Sequence, residues 1–278
     1  MSNFLTRTLS GAVYVGLVVA SILVHPVFFG IVFLLVTVLA VREFHVLMHT
    51  PRLLNLSAML MSGLLFAGSW LLAQHTSPEY VEYSFAAFIT TMVMLLLTLV
   101  AVLFVHFKES DAIRCWGNIL GSMTMIAIPF MTMNGVLVIS KYQLLALFIT
   151  IWVNDSGAYC VGSLTAKRPS GNHKMFPRVS PAKSWEGLFG GIFFALIAGI
   201  VYWQVGWFLY AWQALVFALL IAVFGTLGDL MESLMKRTIG VKDSGRFLPG
   251  HGGVLDRFDS ILLATPVVYL YLVILRLM

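Results

Sequence analysis

Charge is what this sequence has least of. Only 10% of its 278 residues are Asp, Glu, Lys or Arg, against about 25% in soluble globular domains. Hydrophobic residues make up 60% and the mean hydropathy is +0.94. That balance excludes an ordinary water-soluble domain and indicates a polytopic membrane protein. The two cysteines, Cys115 and Cys160, are too few for a disulfide framework, and each reads as a packed helix residue. No A-x-A-type cleavage site follows the first apolar run, so the run reads as a first membrane helix and not as a removed signal. There is no internal repeat and no low-complexity linker. No G-x-x-x-x-G-K-[ST] motif occurs, and no His/Cys set has zinc spacing. The expected fold is all-α: one membrane domain, with mostly apolar scaffold helices over 1–150 and catalytic helices and loops over 151–278.

Long hydrophobic runs are present in number. A membrane-spanning helix needs about 20 mainly apolar residues. Nine candidate spans follow, near 9–24, 27–44, 53–73, 85–107, 119–139, 143–161, 186–205, 208–228 and 259–276. The first two are separated only by His25-Pro26 and could instead form a re-entrant hairpin. Pro266 is expected to bend the last. With the N-terminus in the cytoplasm, 15 of the 17 basic residues fall on the cytoplasmic side, and only Lys141 and Arg276 fall outside. A net charge of +5 could suggest nucleic acid in a soluble protein. Here the basic residues serve as topology markers and phosphate ligands, and no nucleic-acid partner is expected.

The scarce charges are concentrated. Ser233–Asp259 holds eight charged residues in 27. Another polar loop, the first of the two in chain order, lies between the sixth and seventh spans and holds Lys167, Arg168, Lys174, Arg178 and Lys183. Both loops emerge on the same face, and together they carry ten of the 17 basic residues. Before the first loop, Asn154 and Asp155 stand inside a span, about two turns from its end. A carboxylate there costs about 2.5–3.5 kcal/mol on insertion scales and therefore faces a cavity or a partner. Helix packing against a Ser or Lys is the plainer reading. Ser180-Pro181 reads as a turn and Ser184-Trp185-Glu186 as a helix start, beside which clustered lysines suit an anion such as phosphate.

In the second loop, Asp229, Glu232, Ser233 and Lys236 share one helix face. Pro249-Gly250-His251-Gly252-Gly253 reads as a sharp turn whose small residues admit close approach of a ligand. Two acids and a base on one face can be a solvated ion-pair stripe. The whole set also suits metal-assisted phosphoryl or nucleotidyl transfer. Mg²⁺ takes one or two carboxylates plus substrate phosphates, and Asp229 and Asp256 would serve. Lys and Arg would hold phosphates and stabilise the leaving group. His251 reads as a ligand contact or a turn residue.

Ser233-x-Met235-Lys236-Arg237, four residues, Lys242-Asp243, then Pro249-Gly250-His251-Gly252-Gly253-Val254-Leu255-Asp256-Arg257-Phe258-Asp259 resembles the full signature of the phosphatidate cytidylyltransferases, or CDP-diacylglycerol synthases. Asp155-Ser156-Gly157-Ala158-Tyr159 and Ser180-Pro181-x-Lys183-Ser184-x-Glu186-Gly187 resemble that family's other polar segments. The likeness is strong over about 150–260. The family more often has Thr at the position of Ser184, and Ala or Gly at that of Asn154. The resemblance implies the reaction of CTP with phosphatidic acid to give CDP-diacylglycerol and pyrophosphate, with Mg²⁺. It also implies nine spans, a homodimer among membrane lipids, and an active site on the cytoplasmic side of a bacterial cytoplasmic membrane. Asp229 and Asp256 match its metal-binding carboxylates. Lys236, Arg237 and Lys242 join them as catalytic candidates. Asp155, Lys174, Ser180, Lys183, Ser184, Glu186, Ser233, His251, Gly252, Gly253, Arg257 and Asp259 make up the expected substrate-binding set.

Two rival readings remain at this level. A secondary transporter could use Asp155 and Asp229 as coupling-ion sites, although the acids lie near one surface and no paired repeat is visible. A polyprenol kinase would share nucleotide and metal ligands and differ in acceptor. The CDP-alcohol phosphotransferases are disfavoured, since their D-G-x-x-A-R pattern is absent.

Overall fold

The computed structural model describes residues 3–74, 78–104, 109–169, 171–245 and 252–277. They are almost wholly helical. In chain order the helices are α1 (Asn3–Leu23), α2 (Pro26–Leu47), α3 (Arg52–Ala73), α4 (Pro78–Phe104), α5 (Glu109–Ser122), α6 (Ile128–Ile139), α7 (Lys141–Thr165), α8 (Trp185–Gln204), α9 (Ala211–Thr238), α10 (Leu255–Phe258) and α11 (Ile261–Leu277). Seven stretches are long and apolar enough to cross a membrane, and α1 and α4 contribute the shorter apolar helices Thr8–Leu23 and Phe88–Val102. Each of the nine expected spans thus falls on a helical stretch.

Local chemistry explains the boundaries. His25 caps α2, its ring Nδ1 accepting from the Val27 amide at 3.2 Å, and Pro26 follows in the first turn, where its missing N–H costs nothing. Ser140 caps α7. Between α5 and α6 the backbone widens into a π-turn at Met123–Ala127. Pro129 lies just beyond it, unable to donate to the carbonyl of Met125, and the ladder relaxes around that gap. The final span is broken at Asp259-Ser260, between α10 and α11, while Pro266 sits inside α11 without ending it.

Two expectations need correction. The polar loop before α8 is not irregular throughout: β1 (Lys174–Phe176) and β2 (Ser180–Ser184) pair antiparallel in a small hairpin. Ser180 and Pro181 open β2, and the turn lies earlier, at 177–179. Pro181 donates no ladder hydrogen bond, which a two-stranded edge tolerates. Secondly, Cys115 is buried as expected but Cys160 is exposed on α7.

The described chain forms two compact units: Met1–Val138 with Asp243–Phe258, and Ile139–Lys242 with Asp259–Met278. In the first, Phe33, Phe130 and Phe258 are buried and meet at centroid distances of 5.7–6.4 Å, and Tyr14 packs edge-on to Phe258 at 5.5 Å. The Tyr14 hydroxyl also donates to the Arg257 carbonyl at 3.1 Å. This nest anchors α10 from below. In the second unit, Tyr202 stacks on Trp207 at 5.5 Å and reaches Thr150 with its hydroxyl. Tyr142 stacks on the other side of Trp207. These rings gather at the end of α7, α8 and α9 opposite the hairpin, as an aromatic girdle would at a membrane interface.

Phe258→Ala should cost about 3 kcal/mol, the usual range for emptying a buried ring site. Thermal unfolding in detergent would show this as a clear loss of melting temperature. Phe189→Ala, at a ring 64% exposed, should leave it unchanged.

Candidate active site

The residues singled out by sequence fall into two clusters, one in each unit. The cluster of the second unit begins with α9. Asp229 and Ser233 are one turn apart, and the Ser233 hydroxyl donates to Asp229 Oδ1 at 3.1 Å. Lys183, at the end of β2, reaches Asp229 Oδ2 at 2.7 Å and the Thr226 carbonyl at 3.3 Å. One turn further along α9, Glu232 pairs with Lys236, both buried. Asp259 lies within electrostatic reach of Asp229, Glu232 and Asp155. Its Oδ1 accepts from the Ser260 amide at 2.6 Å. Four carboxylates and two lysines thus meet where α9 leaves the apolar zone. Asp155 is exposed and Asn154 buried, with α7 continuing to Thr165.

The hairpin is fixed onto this cluster by polar ties. Ser184 caps α8, accepting from the Gly187 amide at 3.1 Å. Glu186 accepts from the His173 amide at 3.0 and 3.1 Å and from its ring at 2.6 Å. Arg237 spends two donors on backbone, Nε to Val179 at 3.3 Å and Nη1 to Val241 at 3.0 Å. It therefore holds the hairpin turn against the end of α9. Ser180 is half-buried in β2, whereas Lys174 and Lys242 are exposed. A helix N-terminus, Lys183 and Lys174 leave this end of the unit suited to anions.

The cluster of the first unit is built on backbone. Asp256, 8% exposed, accepts at one oxygen, Oδ2, from the amides of Ser244 and Gly253, each at 2.8 Å. Two amide donors on one carboxylate oxygen fix the orientation of the group. The turn that makes this possible needs glycine twice. Gly252 has φ +80°, and a Cβ there would strike Asp256 Oδ2. At Gly253 a Cβ would run into Ser244 Oγ and a carboxylate oxygen of Glu43. Arg257 is half-buried, and its Nε has no hydrogen-bond partner among the described residues. His251 lies outside the described residues.

Sequence reasoning missed two members of this cluster. Glu43, from α2, accepts from the Val254 and Leu255 amides at 2.9 Å each. Ser244 donates its hydroxyl to the same carboxylate at 3.1 Å. The signal for Glu43 was present, an acid inside an apolar run, but the neighbouring Arg42 makes the pair look like the end of a span. It also missed the partner of Glu186, His173, which lies 13 residues upstream.

Among the described residues no three His, Cys, Asp or Glu side chains gather closely enough to enclose a metal by themselves. The arrangement instead offers separate, well-held carboxylates, cations and a helix N-terminus. That combination suits an ion completed by a phosphate-bearing substrate.

Comparison with known proteins agrees with this chemistry. Residues 5–275 match the model of a family described as the cytidylyltransferase family. A phosphatidate cytidylyltransferase of Staphylococcus haemolyticus (strain JCSC1435) is 40% identical over 169 residues, covering 60% of this chain and 62% of the relative. The enzyme of the same name from Staphylococcus saprophyticus is 39% identical over an equal length and share. That of Staphylococcus aureus (strain COL) is 36% identical over 204 residues, 73% of this chain and 75% of the relative. The aligned part thus spans less than two thirds of the first two relatives.

Ser184→Ala should destabilise the protein by about 1 kcal/mol through loss of the α8 cap, and Ser184→Thr should restore most of it. Melting curves of the three proteins in one detergent would check this.

Proposed function

The chain belongs to the cytidylyltransferase family, and we propose from that premise that it transfers the cytidylyl group of CTP to phosphatidic acid. The products are CDP-diacylglycerol, an intermediate of phospholipid synthesis, and pyrophosphate. The observation that carries this reading is the Asp256 carboxylate, held by the backbone of a loop that matches the family signature to the residue. The relatives bear the name phosphatidate cytidylyltransferase, and both substrates are anions that the cationic residues suit.

In the reaction, a phosphate oxygen of phosphatidic acid bonds to the α-phosphorus of CTP. The bond from that phosphorus to the α–β bridging oxygen breaks, and pyrophosphate leaves with the electron pair. Among the described residues no side chain stands ready as an activated nucleophile, so a direct in-line transfer is the economical path. Lys183, Lys236, Lys242 and Arg257 supply positive charge for the phosphates. The Nε of Arg257, without a hydrogen-bond partner among the described residues, supports a ligand contact at that group. Arg237 and Glu186 hold the hairpin, while Asp155, Lys174, Ser180, Ser233 and Asp259 border the substrates. Asp229 in the second unit and Asp256 in the first are each a carboxylate that would hold Mg²⁺, hard oxygens of the kind that ion takes together with water and substrate phosphates. When bound, Mg²⁺ offsets charge on the phosphate oxygens.

Phosphatidic acid stays in the leaflet and CTP arrives from the cytosol. The polar loops therefore face the cytoplasm of a bacterial inner membrane, a side supported by the clustering of basic residues. The resemblance extends the proposal to a homodimer.

Purified protein in detergent, given CTP, phosphatidic acid and Mg²⁺, should yield CDP-diacylglycerol and pyrophosphate only when all three are present. Folded protein that forms neither would overturn the proposal. Asp256→Asn should lower turnover by at least about 100-fold while keeping the melting temperature. Wild-type turnover in that variant would remove the metal assignment.

A further inference from the structure

We propose that Glu43, a residue of the second helix, is the positioning residue for the loop that presents Asp256. The inference rests on the function proposed above for its catalytic consequence, and on geometry alone for the positioning itself. Glu43 is 8% exposed and lies near the end of α2, in the apolar part of the chain. All its described hydrogen bonds go to one short stretch and one partner. Oε1 accepts from the Val254 amide, and Oε2 from the Leu255 amide and the Ser244 hydroxyl.

The pattern is that of a helix cap supplied from elsewhere in the chain. The amides of Val254 and Leu255 open α10 and have no partner within it. Glu43 satisfies both, one carboxylate oxygen to each amide, at 2.9 Å. Ser244 extends the grip by one residue. Its Oγ accepts from the Asp256 amide at 3.3 Å while its own amide donates to Asp256 Oδ2. Ser244 and Asp256 therefore bond each other in both directions, and Glu43 joins them through the Ser244 hydroxyl and through the amide of Leu255, the residue before Asp256. Any shift of the Glu43 carboxylate is passed to the Asp256 carboxylate through two short routes.

A buried carboxylate is a costly way to hold two helices together, since an apolar side chain of the same size would do so without desolvation. What a carboxylate adds is direction: it sets the orientation of consecutive amides and hence of the side chain that follows them. Groups behind a metal or phosphate ligand act in this way, and their loss commonly costs 10- to 100-fold in affinity or activity. Glu43 touches no substrate in this account. It acts through Asp256.

The test compares wild type, Glu43→Gln and Ser244→Ala in detergent. Gln keeps the shape but replaces one acceptor oxygen with an NH₂ that faces an N–H or O–H donor. Two readouts are needed: hydrogen exchange of residues 253–256 without metal or substrate, and steady-state kinetics with varied CTP and Mg²⁺. Glu43→Gln should melt near wild type and exchange the 253–256 amides at least about tenfold faster. It should lower kcat about 10- to 100-fold with the KM for CTP within about threefold, and require more Mg²⁺ for half-maximal rate. Ser244→Ala should move the same quantities in the same direction, by less. Exchange and kcat both within twofold of wild type in a folded Glu43→Gln protein would overturn the proposal. So would a change confined to the KM for CTP, which would make Glu43 a substrate contact. If Glu43→Gln does not fold, Ser244→Ala decides by the same criteria. If wild type forms no CDP-diacylglycerol, the function fails, and exchange alone decides whether Glu43 holds the loop.

Discussion

Hydrocarbon offers no hydrogen bonds, so each charge that enters the helical part of this chain must be met by another part of it. Asp229 is met by Lys183 and Ser233, and Glu232 by Lys236. Asp256 is met by the Ser244 and Gly253 amides, and Glu43 by the amides that open α10. The fold around these pairs follows from the requirement. The hairpin exists to bring Lys183 to Asp229, and the two glycines of the signature turn exist because carboxylate oxygens occupy the space their side chains would fill. The aromatic nest of Tyr14, Phe33, Phe130 and Phe258 then holds the apolar side of the same turn.

The two clusters meet the constraint by different means. In the first unit the carboxylates are held by backbone N–H groups, which move only if the chain moves. In the second they are held by lysine and serine side chains on rotatable stems. The two kinds of support differ in what can move: main chain in the first unit, side-chain torsions in the second.

Much of this was legible in the sequence. The spans could be read because about 20 apolar residues in a row have few other uses, and the cap at Ser184 because Ser before Glu in that setting has a known purpose. The shared face of Asp229, Glu232, Ser233 and Lys236 followed from helical periodicity alone. The hairpin was not legible: three- and five-residue strands carry little periodic signal, and Pro181 imitates a turn. Nor was Glu43. Its role depends on the backbone of residues more than 200 positions away, and backbone amides leave no mark in the side-chain pattern. Ser233 and Lys236, whose partners lie one turn away on the same helix, were found, and Glu43, whose amide partners are distant main chain, was not.

That separation has a consequence for how the protein is made. The Leu255 amide that Glu43 binds lies 212 residues downstream. At bacterial rates of translation, α2 precedes its partner by something on the order of tens of seconds. Throughout that interval the carboxylate has none of its final donors. A chain lacking α10 and the residue before it would leave the Glu43 carboxylate with the Ser244 hydroxyl but without the two amides that fix its direction.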